Sequence, residues 1–311
     1  TTEIYTLSLH DALPILLPVL ASIIRDAARP HGGWKPARTP AGLAPWTQQS
    51  PPAWDFGRTD ARGESRPAAV RAMLLYPMNA LVEDQVSRLR KALDSDDALA
   101  AMDRQLEGNR IRFGRYNGST PVSGHPSRLK DGQIVPSPKR QELRKRLAAN
   151  IDQYAKLRAE HDAAVRQLAA CEQAGDVDGA KEALGRRDEL REQLAFFPRM
   201  EPSASEMVHR WEMQTSPPDI LITNVSMLSI MLMRHTHPHI PGDRADAQLL
   251  EATARWLAED RENHVFQLVI DELHLYRGAA GTEVGYLLRL LLDRLAACRT
   301  TPCKIPHHPR I

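Results

Sequence analysis

The sequence predicts an α/β fold with a mainly parallel sheet. Four short apolar runs have the length of buried strands and are bounded by turn residues, and helical patterns of apolar residues separate or follow them. Strands that alternate with helices build parallel sheets, because each parallel strand needs a crossover that returns the chain to the same end. The predicted strands span residues 70–76, 110–116, 219–223 and 266–270.

The helical patterns are placed before, between and after these strands. The first, at 16–28, has Leu16, Leu20 and Ile23 on one face and ends before Pro30. Residues 36–67 are rich in Pro, Gly, Ser and Thr, which predicts a long surface loop. Further helices are predicted at 80–93, 225–234, 245–260 and 282–298.

A long, charged helical stretch at 139–197 interrupts the alternation of strands and helices. Turn residues at 175–179 divide it, and Leu143 with Leu147 and Leu190 with Leu194 give each half an apolar stripe. The pattern predicts two antiparallel helices inserted into the α/β domain. Two roles stay open for them: a solvated spacer, or an arm that binds a partner or separates nucleic-acid strands.

Composition restricts the partners and the cell compartment. The 41 basic and 39 acidic residues nearly cancel, so a nucleic acid would have to be bound by local patches or backbone amides. Three cysteines are too few for a disulfide framework and indicate a reducing, cytoplasmic location. No apolar run reaches the roughly 20 residues of a membrane span, so no membrane partner is expected. Four residues near the end have an irregular spacing that favours plain thiols and surface histidines over a zinc site: Cys298, Cys303, His307 and His308.

Residues 1–15 are predicted to be foreign to the fold. Acidic and polar residues precede the apolar segment where a signal peptide would have basic ones. One back-translation of Thr1 to Ile15 resembles a common short-read sequencing adapter, so we hypothesise a library artefact and a natural chain that starts near Leu16. The predicted organisation is 16–138 and 198–311 as two parts of one domain, with the hairpin at 139–197 between them.

The candidate catalytic residues follow the most apolar predicted strand. Asp271 and Glu272 come directly after it, and His274 follows. Ligands of open α/β sheets bind beyond the carboxyl ends of the strands. Asp271 is a candidate Mg²⁺ ligand, because a hard cation prefers carboxylate oxygen, and Glu272 would orient and deprotonate the water that attacks a γ-phosphate. An ordinary pair of acidic residues at a strand end is the alternative.

Four motifs in a fixed order carry a resemblance to a known family. The DELH of 271–274, with LYRG after it, resembles motif II of a DExH-box helicase. LLYPMNAL at 74–81 resembles motif Ia, GRYNG at 114–118 the glycine-containing element after it, and ILITNVSML at 220–228 motif Ib. The chain thus resembles the first motor domain of superfamily 2 DExH-box helicases.

This resemblance implies a RecA-like sheet of the P-loop NTPase type, incomplete here, with ATP and Mg²⁺ as cofactors and nucleic acid, expected to be DNA, as partner. It also implies that His274 reports the nucleotide state and that a second RecA-like domain lies outside this chain. The segments at 205–207, 210–211 and 217–219 look closest to large bacterial helicases of phage defence and DNA repair, so proteins of such systems are expected partners.

The predicted nucleic-acid contacts lie where strands stop and helices begin. Such strand ends present free N–H groups and the positive end of a helix dipole, which suit phosphate oxygens. A simple turn or helix cap is the alternative for each residue. The candidates are Pro77, Asn79, Arg115, Gly118, Thr223 and Asn224.

The chain departs from the family in one decisive respect. No G-x-x-x-x-G-K-[ST] loop, whose amides and lysine hold the phosphates, occurs in the 311 residues. We therefore expect this chain neither to hydrolyse ATP nor to unwind DNA, although its parent protein would do both, and we expect a sheet weakened by loss of its phosphate-loop strand. Two alternatives stay open: a non-catalytic interaction module built on a degenerate helicase domain, and a restriction translocase with the same motifs.

Overall fold

The main sheet is parallel throughout. The computed structural model describes residues 2–7, 12–30, 32–37, 63–201, 203–234 and 246–296. Six strands form the sheet in the order β1-β8-β2-β7-β3-β6, and β4 and β5 form a separate antiparallel pair. The predicted α/β class is confirmed. The strands are β1 (Thr2–Leu7), β2 (Ala72–Tyr76), β3 (Phe113–Tyr116), β4 (Ser127–Lys130), β5 (Gln133–Pro136), β6 (Glu206–Met207), β7 (Ile220–Asn224) and β8 (Phe266–Asp271).

Helices connect the strands and cover both faces of the sheet. All five helices predicted around the strands are present, with ends shifted by up to four residues. A single 3-10 turn, Leu273–Leu275, follows β8. The helices are α1 (Ala12–Ala27), α2 (Asn79–Leu93), α3 (Asp96–Gln105), α4 (Lys139–Ala174), α5 (Val177–Leu194), α6 (Arg210–Thr215), α7 (Val225–Met233), α8 (Ala247–Glu259) and α9 (Gly278–Ala296).

The predicted helical hairpin is confirmed as α4 and α5. Gly175 ends α4 in the left-handed conformation at φ 71°, which glycine adopts without steric cost. The side chain of Asp176 then caps α5 by accepting a hydrogen bond from the backbone N–H of Gly179. Ion pairs join the hairpin to the domain: Lys91 of α2 lies 2.5 Å from Glu192, and Asp96 of α3 binds Arg158 at 2.5 Å.

The first residues of the chain take part in the sheet, contrary to our expectation. The backbone of β1 pairs with β8 from Thr2 opposite Phe266 to Leu7 opposite Asp271, and α1 starts at Ala12 rather than at Leu16. Backbone pairing needs no particular side chains, so an extended segment completes an open sheet edge whatever its origin. β8 consequently has hydrogen-bonded neighbours on both sides. The adapter hypothesis concerns the nucleotide sequence and stays a prediction.

Alternate residues of the strands belong to two apolar layers, one on each face of the sheet. Leu74, Ile222 and Val269 are buried on the face covered by α1 and α2. Leu75 and Ile270 are buried on the other face, under α7, α8 and α9. A parallel sheet covered on both sides needs such continuous apolar strands, and this explains why β8 reads as FQLVI.

The end of the predicted surface loop is buried, so this part of the prediction was wrong. Residues 38–62 lie outside the described residues, but the side chains of Glu64 and Arg66 are 1% exposed. Glu64 binds Arg112 at 2.6 Å, and Arg66 lies 3.3 Å from Asp219. Composition alone misses this arrangement, because the ion-pair partners come from distant parts of the chain.

Several short elements were not predicted. They are α3, the β4–β5 hairpin, β6 and α6. Each has ten residues or fewer, too short for a reliable periodic pattern. None of the helices among the described residues is long and apolar enough to cross a membrane.

Candidate functional site

The carboxyl ends of the central strands meet at one edge of the sheet. Tyr76, the last residue of β2, pairs with Asn224, the last residue of β7. Leu75 pairs with Ile270, so Asp271 comes level with Tyr76 on the neighbouring strand. The structure therefore collects the residues predicted from motifs Ia, Ib and II at a single edge.

Asp271 is a buried carboxylate with unused hydrogen-bonding capacity. The residue is 4% exposed, and its Oδ1 atom has no hydrogen-bond partner among the described residues. Burial raises the pKa of Asp271, and the neighbouring charge of Glu272 adds to this rise, while a backbone hydrogen bond from Glu272 opposes it. A buried carboxylate oxygen without a donor suits a cation, which would remove the cost of its isolation.

Two tyrosines that the sequence analysis did not select as site residues border this carboxylate. The hydroxyl oxygens of Tyr76 and Tyr276 are buried and, within the described chain, have no hydrogen-bond partner. Burial raises the pKa of both phenols, and the negative charge of Asp271 raises each further. Tyr76 could have been selected only from its place at the end of the strand next to β8, and this requires knowledge of the strand order.

Glu272 holds a strained backbone conformation directly after Asp271. Its φ of 49° and ψ of 41° lie in the left-handed region, where a residue other than glycine is uncommon. Its carbonyl accepts a hydrogen bond from the N–H of Leu275 at 2.9 Å, which starts the 3-10 turn. Strain of this kind is concentrated at functional sites.

His274 is placed to contact both Glu272 and solvent. Its Nδ1 atom lies 3.1 Å from Oε2 of Glu272, and its side chain is 60% exposed, whereas that of Glu272 is 9% exposed. The carbonyl of His274 accepts a hydrogen bond from Nε of Arg277 at 2.9 Å. The structure thus brings the three predicted catalytic residues together, with the histidine on the open side.

Asn79 joins the ends of three strands. Its Oδ1 atom accepts hydrogen bonds from Nδ2 of Asn224 at 2.7 Å and from Nδ2 of Asn117 at 3.2 Å. Asn224 also caps α7, because its Oδ1 accepts a hydrogen bond from the N–H of Met227 at 2.7 Å. Asn117, which the sequence analysis did not select, is fully buried.

The start of α2 has free backbone donors. Its N-cap residue, Met78, makes no side-chain cap, and the first turn contains no acidic residue. Pro77 immediately precedes it and is half-buried, and Asn79 is exposed. Uncapped N–H groups and the helix dipole favour an anion at this position.

The remaining predicted contacts differ in availability. Thr223 is fully buried, and its hydroxyl donates to the carbonyl of Tyr116 at 2.6 Å, so it supports the strand end from within. Arg115 forms an ion pair with Glu83 of α2, which reduces the charge that it offers. Gly118 is exposed, and a Cβ there would meet no atom within 4 Å.

The carboxylate at this edge is a suitable ligand for a magnesium ion that keeps most of its water. Among the described ranges there is no group of three or more His, Cys, Asp or Glu side chains that surrounds a single point. Mg²⁺ keeps several waters and usually takes only one or two carboxylates from a protein. Asp271 meets that requirement, and the predicted zinc alternative at Cys298, Cys303, His307 and His308 lies outside the described residues.

Comparison with known proteins gives one informative similarity. The chain is 37% identical over 235 residues to Druantia protein DruE of Escherichia coli (strain UMEA 4076-1). The matched region is 72% of this chain but 12% of that protein, so the chain spans a small part of the relative's length. No family model matches the chain. No solved structure matches it either.

Proposed function

We propose that this chain is the first, RecA-like motor domain of an ATP-dependent DExH-box helicase or translocase that acts on DNA in phage defence. The observation that carries the proposal is the shared edge: the Asp271 carboxylate with its unpartnered oxygen and the Asn79 junction lie at the ends of adjacent strands. The phage-defence link is supported by the similarity to Druantia protein DruE.

The residues at the end of β8 would have separate roles in ATP hydrolysis. Asp271 would hold Mg²⁺, directly or through water, and Glu272 would orient a water molecule and accept its proton. When bound, Mg²⁺ supplies positive charge that offsets the charge developing on the phosphates. His274, which contacts Glu272 from the solvent side, would link this site to the neighbouring motor domain.

The residues at the β2 and β7 ends would hold the nucleic-acid backbone. The start of α2 has no side-chain cap for its N–H groups, and the side chain of Asn224 is hydrogen-bonded to Asn79, the first residue of that helix. Contacts of this type read no base sequence, and they give binding that falls as salt rises. The nearly balanced charge of the chain agrees with backbone amides as the main donors.

Hydrolysis needs groups that these residues do not include. The 311 residues contain no G-x-x-x-x-G-K-[ST] loop. We propose that a phosphate loop and a second motor domain from the same longer protein complete the site, and that the 311-residue chain alone does not turn over ATP.

DNA binding by this chain tests the proposal directly. We expect fluorescently labelled single-stranded DNA to bind the 311-residue chain with an affinity that decreases as salt increases. In the longer protein, Asp271→Asn and Glu272→Gln should abolish DNA-stimulated ATP hydrolysis and leave DNA binding intact. A chain that binds neither DNA nor RNA at low salt would refute the proposal in favour of a non-catalytic module that binds another protein. A Glu272→Gln protein with full ATPase activity would refute the catalytic role proposed for Glu272.

A further inference from the structure

The β4–β5 hairpin is held firmly at its base. The N–H of Ser137 donates to the carbonyl of Pro126 at 2.9 Å, and Nε of Arg140 donates to the same carbonyl at 2.8 Å. Just before β4, the indole Nε1 of Trp211 donates to the carbonyl of Gly124 at 2.6 Å. Trp211 is itself buried, so the base of the hairpin is attached to the core.

The turn of the hairpin is also well defined. Asp131 and Gly132 connect the strands with φ values of 50° and 76°. Two consecutive residues with positive φ form the tight turn whose twist matches that of the flanking strands, and Asp-Gly is a preferred pair for it. The register follows from this turn, with Lys130 opposite Gln133 and Leu129 opposite Ile134.

The two faces of the hairpin have different chemistry. Leu129 and Ile134 lie directly opposite each other on one face and are 47% and 62% exposed. Arg128 and Lys130 alternate with Leu129 and therefore lie on the other face. Both cations are exposed, and no carboxylate among the residues that the structure describes forms an ion pair with either. An exposed apolar pair with cations on the reverse face can contact a ligand that has both apolar and anionic parts.

The base of the hairpin is fixed to the candidate nucleic-acid edge. Nη2 of Arg210 donates to the carbonyl of Asn117 at 2.7 Å, and its backbone N–H donates to the carbonyl of Pro121 at 3.2 Å. Asn117 donates in turn to Asn79. One residue thus connects the segment leading into β4 with the junction proposed to hold the nucleic-acid backbone.

We propose that the β4–β5 hairpin is a second nucleic-acid contact, with Leu129 and Ile134 against unstacked bases and Arg128 and Lys130 near phosphates. The inference rests on the proposed function. Aliphatic side chains pack against exposed base faces or between base steps, and cations on the reverse face supply the attraction to the backbone. The favoured ligand is a junction between duplex and single-stranded DNA, because it offers both features.

Fluorescence anisotropy with labelled DNA tests this contact. The 311-residue chain would be titrated against a duplex with a single-stranded tail and against the blunt duplex. We expect Leu129→Ser with Ile134→Ser to weaken binding of the tailed DNA at least fivefold, with a smaller effect on the blunt duplex. Arg128→Gln with Lys130→Gln should weaken binding of both DNAs and reduce the salt dependence.

A charge-matched control separates this contact from general attraction. Arg104 on α3 and Arg255 on α8 are exposed, and their replacement by Gln removes the same charge at other places. That control should bind as the unchanged chain does, and circular dichroism would confirm that every variant is folded. If the unchanged chain binds no DNA, both proposals fail. If it binds and the hairpin variants bind equally well, only the hairpin proposal fails, and another protein segment becomes the better occupant.

Discussion

The side-chain oxygen of Asn79 accepts a hydrogen bond from Nδ2 of Asn224 at 2.7 Å, which joins the ends of β2 and β7. The same oxygen accepts from Asn117 at 3.2 Å. Asn79→Ala removes this acceptor and leaves the amide of buried Asn117 without one. We expect the free energy of unfolding to fall by about 1 kcal/mol in urea denaturation. Asn150→Ala, at a half-buried position of α4, should change the free energy of unfolding by less than about 1 kcal/mol, because alanine is compatible with a helix interior. An equal loss of stability in both variants would contradict the role of the junction.

Asp219 lies at the centre of a buried charge network. It is fully buried, binds Arg71 at 2.7 Å and accepts a hydrogen bond from the N–H of Arg112 at 2.7 Å. Asp219→Asn removes one of the two carboxylates that face each of Arg66 and Arg71, which keep Glu64 at 4.0 Å and Asp26 at 2.9 Å, respectively. We expect a loss of about 3 kcal/mol in the free energy of unfolding. Asp84→Asn, which breaks the exposed pair with Arg88, should cost less than about 1 kcal/mol by the same measurement.

The hydroxyl of Tyr116 makes the free energy of unfolding depend on pH in the alkaline range. It donates to the carboxylate of Asp246, and burial, followed by the charge of Asp246, raises its pKa well above the ordinary value. The unfolded chain ionises this phenol near pH ~10, so the stabilisation is complete below that pH and is lost as the pH rises above it. Tyr116→Phe should therefore be less stable at pH 8, with a difference that narrows towards pH 11 in urea titrations. A constant difference would contradict this linkage.

The two glycines of the GRYNG segment should respond differently to alanine. A Cβ on Gly114 would overlap Sδ of Met213 and lie 3.1 Å from the carbonyl oxygen of Met207, whereas one on Gly118 would meet nothing within 4 Å. Gly114→Ala should lower the free energy of unfolding by about 1 to 3 kcal/mol through overpacking. Gly118→Ala should leave the free energy of unfolding nearly unchanged. Thermal unfolding of both variants, measured together, would test this difference.

Backbone strain at Glu272 should appear in a comparison of two variants. Both Glu272→Gly and Glu272→Ala remove the carboxylate that contacts His274. Only glycine adopts a φ of 49° without steric strain, because it has no Cβ. We expect the glycine variant to be more stable than the alanine variant by about 1 kcal/mol, measured by urea unfolding. Equal stabilities would mean that this backbone conformation carries no strain.

The sequence was most informative where a pattern is long or chemically specific. The apolar run FQLVI before Asp271 predicts a strand that is buried on both faces, and β8 is such a strand. The helical hairpin was predictable because its turn at Gly175 separates two long periodic segments. Strand ends also predicted the shared edge, since parallel strands all finish on the same side.

Only the tertiary structure decided which of these residues touch. The order β8-β2-β7 places Tyr76 beside Asp271 and brings Asn79 to Asn224, and strand order is set by the packing of the helices on the two faces. The burial of Glu64 and Arg66 likewise depends on partners far along the chain. By itself, the sequence determined strands β2, β3, β7 and β8, the helices around them, the helical hairpin and the residue types at the strand ends, because local periodicity and turn chemistry act within a few residues. The contacts among those ends depend on long-range packing, which local pattern does not contain.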